Sequence, residues 1–164
     1  MAPSERPAAQ QMEVHMAELT PLMDEILRSG GTVELTVTGG SMRPMLRHKV
    51  SRVRLERRDT VCRGDIPLYR REKSGRFVLH RVVALENGCY TCCGDAQWHL
   101  ERGIRPEQVL GVVTAFARND TWTACESAPY RAYWKFWLWI RPLRRLVFGG
   151  WGRVKRKLRG MVKR

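Results

Sequence analysis

The stretch Thr32-Val33-Glu34-Leu35-Thr36-Val37-Thr38-Gly39-Gly40-Ser41-Met42-Arg43-Pro44-Met45-Leu46 decides how the chain reads. Its first seven residues alternate, with Val33, Leu35 and Val37 on one side and Thr32, Glu34, Thr36 and Thr38 on the other. That is the period of a strand with one buried face. Gly39 and Gly40 then stop the alternation and present Ser41. Glycine reaches backbone angles that a side chain forbids, so the chain can turn sharply there. Pro44 fixes its own φ and biases Arg43 toward extended geometry, which stiffens the exit. A serine held this way, with backbone N–H groups beside it, suits attack on a carbonyl, because those groups can hold the oxyanion. An ordinary turn between two strands is the plain alternative.

Outward from this stretch the period of two recurs. It is seen over Val50–Leu55, and further strands are expected over Ile66–Tyr69, the longer and strongly apolar Phe77–Leu85 with His80 inside it, Cys89–Cys93 and Val109–Ala117. Turn residues separate these runs: Arg57-Arg58-Asp59, Gly64-Asp65, Lys73-Ser74-Gly75, Glu86-Asn87-Gly88 and Gly94-Asp95, with Ile104-Arg105-Pro106-Glu107 as a loop. Asn87-Gly88 is the strongest hairpin signal in the chain. Short strands with frequent turns predict a mainly β body over 32–127. Upstream, Met12, Met16, Leu19, Leu22, Met23, Ile26 and Leu27 recur at helical spacing, so residues 12–31 form a helical segment. Thr20-Pro21 fits the start of a second helix, and Ser29-Gly30-Gly31 ends the segment. Residues 1–11 carry no periodicity and are expected to be disordered.

The 164 residues carry a net charge of +14, unevenly placed. All 16 acidic residues precede position 127; eighteen basic residues before position 130 leave that part at +2, and the other +12 lies beyond it. The body is therefore almost neutral, and the basic tail points to phosphate-bearing partners. The five cysteines are odd in number, and the first 20 residues hold no apolar core, so neither a signal peptide nor an N-terminal anchor is expected. Reduced thiols facing the cytosol follow. Cys89-x-x-Cys92-Cys93 near His99 lacks a second spaced ligand pair, so no metal and no cofactor is expected.

The tail, 128–164, interleaves aromatic and basic residues: Trp134, Trp137 and Trp139 with Arg141, Arg144 and Arg145. Within Tyr130–Phe148 the longest charge-free run is Phe136–Ile140, far short of the about 20 apolar residues a bilayer span needs. Such a helix lies in the headgroup plane, and the basic run Arg153–Arg159 adds attraction to anionic lipid. Packing of the aromatics on the β body is the alternative; nucleic acid is not the expected partner.

Gly40-Ser41-Met42-x-Pro44, Gly64-Asp65-Ile66, His80-Arg81-Val82 and Gly94-Asp95 stand in the order and rough spacing of the type I signal peptidases. The chain resembles that family over about Thr32 to Ala117. The family shares its fold with the LexA-type self-cleaving repressors. The resemblance implies a β-barrel-type core with an N-terminal helix and, here, a C-terminal basic aromatic helix. It implies Ser41 as nucleophile and His80 as general base, as in the endoplasmic-reticulum and archaeal-type members, where bacterial ones usually carry lysine. It further implies Asp95 as the carboxylate that holds the imidazole, with Asp65 as second candidate, and Gly39, Gly40, Met42 and Pro44 around the oxyanion and substrate. Imidazole accepts a proton near neutrality, which suits a serine that needs an adjacent base.

Two positions depart from the family pattern. Gly39 replaces the serine that often supplies an oxyanion donor, and Ala96 replaces the asparagine that usually follows Gly-Asp. The expected function is a peripheral, membrane-associated serine endopeptidase acting on a peptide or preprotein, on the cytoplasmic face. The alternatives are a weak or inactive member that binds membrane or partner, and a LexA-like regulator.

Overall fold

The computed structural model describes residues 8–143. The chain runs through helix α1 (Ala8–Arg28), strands β1 (Val33–Thr36), β2 (Arg52–Glu56), β3 (Pro67–Arg70), β4 (Phe77–Leu79), β5 (Arg81–Glu86), β6 (Cys89–Cys93) and β7 (Glu101–Ile104), then β8 (Val109–Arg118), β9 (Thr121–Ala124) and helix α2 (Ala128–Trp139). The fold is mainly β, with a curled half-barrel sheet between the two helices.

The larger sheet has the order β1-β2-β8-β3-β4, all antiparallel, with β9 hairpinned onto β8. The smaller sheet is β5-β6-β7. One core lies under the larger sheet, where Leu27 of α1 meets Val53, Leu55, Leu68 and Val113. A second joins the two sheets through Tyr69, Val82, Cys92, Ile104 and Val112.

Three features differ from the sequence expectation. Helix α1 begins at Ala8 rather than Met12, so residues 8–11 are helical, and it continues through Pro21 as one helix. Inside it the Thr20 hydroxyl donates to the Met16 carbonyl at 2.7 Å. Its end is as expected: Gly30 takes φ +81°, and Gly31 N–H returns to the Ile26 carbonyl at 2.9 Å. The apolar run Phe77–Leu85 is two strands, not one. Leu79 pairs with Leu68 in the larger sheet and Arg81 pairs with Cys93 in the smaller. His80 occupies the step between sheets. Strands β7 and β9 had no alternation to announce them. The expected extension of the tail helix to Phe148, and the basic run after it, lie outside the described residues.

Candidate active site

Ser41 sits in the loop between β1 and β2, and the loop is fixed by its own apolar residues. Met42, Met45 and Leu46 are buried in the main core, and Leu46 N–H bonds the Met42 carbonyl at 2.9 Å. Met42 thus anchors the loop from inside. Gly39 takes φ +92°, where a side chain would be strained. Its N–H donates to His48 Nδ1 at 2.8 Å, so it is committed there rather than to an oxyanion. Among the described residues the Ser41 N–H donates to no protein acceptor. Pro44, after a cis peptide bond, borders an apolar cleft of about 490 Å³ with Met45, Phe116, Tyr130 and Tyr133.

The Gly94 turn closes over this loop. Ala96 N–H donates to the Ser41 carbonyl at 2.7 Å. A Cβ on Gly94 would stand 2.7 Å from that carbonyl oxygen and 3.1 Å from Ser41 Cβ, so only glycine leaves room for the serine. Arg81 and Cys93 are Cα partners across β5 and β6. That pair ends the ladder: His80 immediately precedes Arg81 and Gly94 immediately follows Cys93 in sequence, and it is Gly94 that packs on Ser41.

His80 is buried, with a side chain 2% exposed. Its Nδ1 lies 3.0 Å from Glu101 Oε1 and 3.3 Å from the Tyr69 hydroxyl. Glu101 in turn accepts from Tyr69 at 3.0 Å and from Arg71 Nε at 2.8 Å, with a second Arg71 contact to its other oxygen. Burial pushes the Glu101 carboxyl up, but the bonds from Arg71 and Tyr69 and the His80 charge outweigh it and hold the group below its usual range. An ionised carboxylate only accepts. Nδ1 must therefore carry the proton, and in the neutral ring the lone pair is on Nε2. Burial also lowers the His80 pKa, as does the Arg71 charge, against the pull of Glu101.

Asp95, the carboxylate expected to hold His80, has its two oxygens on Arg81 instead, at 2.9 Å and 2.7 Å. A guanidinium that is always charged and fully buried requires an anion far more than a neutral imidazole does. The Arg81 side chain also donates to the Gly64 carbonyl and the Tyr130 hydroxyl, and its second terminal nitrogen lies 3.1 Å from Met45 Sδ. It thereby ties its own motif to Gly64, Asp95 and α2, and reaches Met45 just after the serine motif. Asp65 serves its own turn: its carboxylate accepts from Cys62 N–H at 2.8 Å, and its carbonyl from Val82 N–H at 2.9 Å. Glu101 was not singled out from sequence. It lies on β7, Glu-Arg-Gly-Ile, which has no apolar alternation, and its role arises from the pairing of β7 with β6. Its one sequence signal is being the first carboxylate after the Gly94-Asp95 turn.

The tail residues divide between faces. The Trp134 ring packs where a Gly64 Cβ would be, and Trp137 Nε1–H donates to the Asp95 carbonyl at 3.2 Å. Those two are half-buried against the body, whereas Trp139 is 76% exposed. Arg141 is half-buried; Arg144 and Arg145 lie outside the described residues. No described helix is long and apolar enough to cross a membrane. Among the described residues no three His, Cys, Asp or Glu side chains are grouped to hold a metal ion.

No family model matches this chain, and no curated protein does.

Proposed function

We propose that this protein is a serine endopeptidase of signal-peptidase type, acting on peptide or preprotein substrates at an anionic membrane surface on the cytoplasmic side. The observation that carries the reading is the half-buried Glu101 carboxylate 3.0 Å from His80 Nδ1, which leaves Nε2 as the nitrogen for proton transfer. In the reaction Ser41 Oγ passes its proton to His80 Nε2 and attacks the scissile carbonyl. The tetrahedral oxyanion is met by the Ser41 N–H, with Gly40 N–H beside it. Collapse breaks the C–N bond, and the imidazolium returns the proton to the leaving amine. Water, deprotonated by the same nitrogen, then releases the acyl group from Ser41. Glu101 keeps the ring in the required tautomer and balances the imidazolium. Asp95 and Arg81 act as positioning residues for the Gly94 turn.

The second reading is a binding module without turnover, and it is favoured by one observation. Gly39 N–H is spent on His48, and residue 39 carries no hydroxyl, so the oxyanion site is short of a donor. Cleavage of a signal-peptide-like substrate by the wild type and by Ser41→Ala and His80→Ala separates the two. The peptidase reading requires loss in both variants; equal cleavage by all three would falsify it. A serine-reactive probe that fails to label folded protein at Ser41 selects the module.

A further inference from the structure

Helix α2 carries two apolar stripes on opposite sides. Tyr130, Trp134 and Trp137 recur at spacings of four and three and face the body. Ala132, Phe136 and Trp139 follow the same spacings two residues later, about 200° round a helix of 3.6 residues per turn, and Leu143 lies just beyond the helix end. Phe136, Trp139 and Leu143 are 55%, 76% and 61% exposed, and the first two rings lie 6.1 Å apart. Arg131 and Lys135 are exposed on the same helix. Residues 144–164, which follow directly, contain nine Lys and Arg and no acid. An exposed aromatic ridge followed by so much positive charge fits an anionic lipid surface.

The inner stripe reaches the candidate active site by three direct contacts. Trp137 holds the Asp95 carbonyl, Tyr130 accepts from Arg81, and Trp134 fills the space over Gly64. Asp95 lies between Gly94, which touches Ser41, and Ala96, whose N–H bonds the Ser41 carbonyl. A 12-residue helix is marginal alone and owes its order to what it packs against.

We propose that α2 is a lipid-responsive brace: seating its outer ridge on anionic membrane orders the helix, and its inner face then tightens the Gly94–Ala96 turn around Ser41. The inference rests on the membrane-surface reading above and adds the coupling between that surface and the site. Coupling of this kind is reciprocal, so a site held closed also binds lipid more tightly.

The test uses the full chain with vesicles of phosphatidylglycerol and phosphatidylcholine, and of phosphatidylcholine alone. It reads co-sedimentation and the hydrogen-exchange rate of the Ala96 amide. Wild type is expected to bind the anionic vesicles and to show Ala96 exchange slowed about fivefold or more, the lower range of allosteric couplings. Phe136→Ser with Trp139→Ser should weaken binding about tenfold or more, because apolar burial drives interfacial helices. Trp137→Phe keeps a ring on Tyr133 but removes the N–H donor; it should bind vesicles like wild type and lose the added Ala96 protection.

Vesicle-bound wild type with unchanged Ala96 exchange overturns the coupling. Equal binding to neutral vesicles, or binding that survives the ridge variant, overturns the lipid assignment. So does a dimer in solution that the ridge variant abolishes, since a second copy would then cover the ridge. Neither readout needs turnover. Absence of peptide cleavage under all conditions would count against the peptidase alone, with the brace still judged by exchange.

Discussion

His80 Nδ1 lies 3.0 Å from Glu101 Oε1, inside a pocket where Arg71 and Tyr69 hold the same carboxylate. This places an anion on Nδ1 and leaves Nε2 as the nitrogen that the proposed reaction uses. Glu101→Gln replaces an obligate acceptor with a group that can also present N–H₂, and so admits the wrong tautomer. We predict a fall in kcat of about 10²–10⁴-fold with KM little changed, as loss of the orienting carboxylate produces in serine hydrolases. Steady-state kinetics on a signal-peptide-like substrate check it; kcat within threefold of wild type would remove Glu101 from the machinery.

The pH dependence follows from the same pair. Burial lowers the His80 pKa below its ordinary 6.5. The base acts when unprotonated, so the acid limb of kcat/KM should have its midpoint below 6.5, and activity should persist at pH 6. The stability effect has the same sign. A histidine whose folded pKa is depressed contributes stability above the unfolded value, and that is lost as pH falls through the folded one. Glu101, also depressed, adds a second loss below about 4.5. Urea midpoints should therefore be flat above neutrality and decline below pH 6.5, less steeply in His80→Gln. A kinetic midpoint above 7 would contradict the buried, neutral imidazole.

Asp95 is expected to separate from Glu101 in its phenotype. Asp95 neutralises Arg81, whose side chain is fully buried and joins the Gly64 and Asp95 turns to α2. Asp95→Asn leaves that guanidinium without its anion, and removal of one partner from a buried pair costs about 3–5 kcal/mol. The midpoint of denaturation should fall accordingly, and activity at low temperature should fall less than in Glu101→Gln. A stable but inactive Asp95→Asn would return Asp95 to the catalytic role first expected of it.

Much of the β body was legible because alternation is a local property. Val33, Leu35 and Val37 announced β1, and Asn87-Gly88 announced the β5–β6 hairpin, here with positive φ at both residues. The break at His80 was not legible, since Phe77–Leu85 is apolar on both sides of it and the change of sheet is set by distant pairing partners. Glu101 was hidden for the same reason: nothing in Glu-Arg-Gly-Ile reveals that β7 will lie beneath the imidazole. The partner of Asp95 was not legible either. The order of motifs brings Asp95 near His80 but does not disclose that Arg81 points inward and claims it. In the tail, composition predicted aromatic and basic character, while the division of tryptophans between faces needed the register of α2 on the body.

Gly94 offers the sharpest test of the site's geometry. Its Cβ position would lie 2.7 Å from the Ser41 carbonyl oxygen, 3.0 Å from Gln97 Oε1 and 3.1 Å from Ser41 Cβ. The Gln97 side chain can move aside, but the Ser41 backbone is pinned by buried Met42 and by the Ala96 N–H. Gly94→Ala must therefore push the nucleophile loop from the turn. Overpacking of this kind costs about 1–3 kcal/mol, small enough for the protein to fold. Displacing a nucleophile by about 1 Å costs about 10²-fold in rate. We expect Gly94→Ala to melt a few degrees lower yet lose cleavage, and to label slowly with a serine-reactive probe. Gly88→Ala is the control: its Cβ meets nothing within 4 Å, but at φ +74° it strains the β5–β6 turn, so it lowers stability without touching Ser41 and should keep its rate. Equal activity in the two variants would mean that Ser41 is not held by the Gly94 turn.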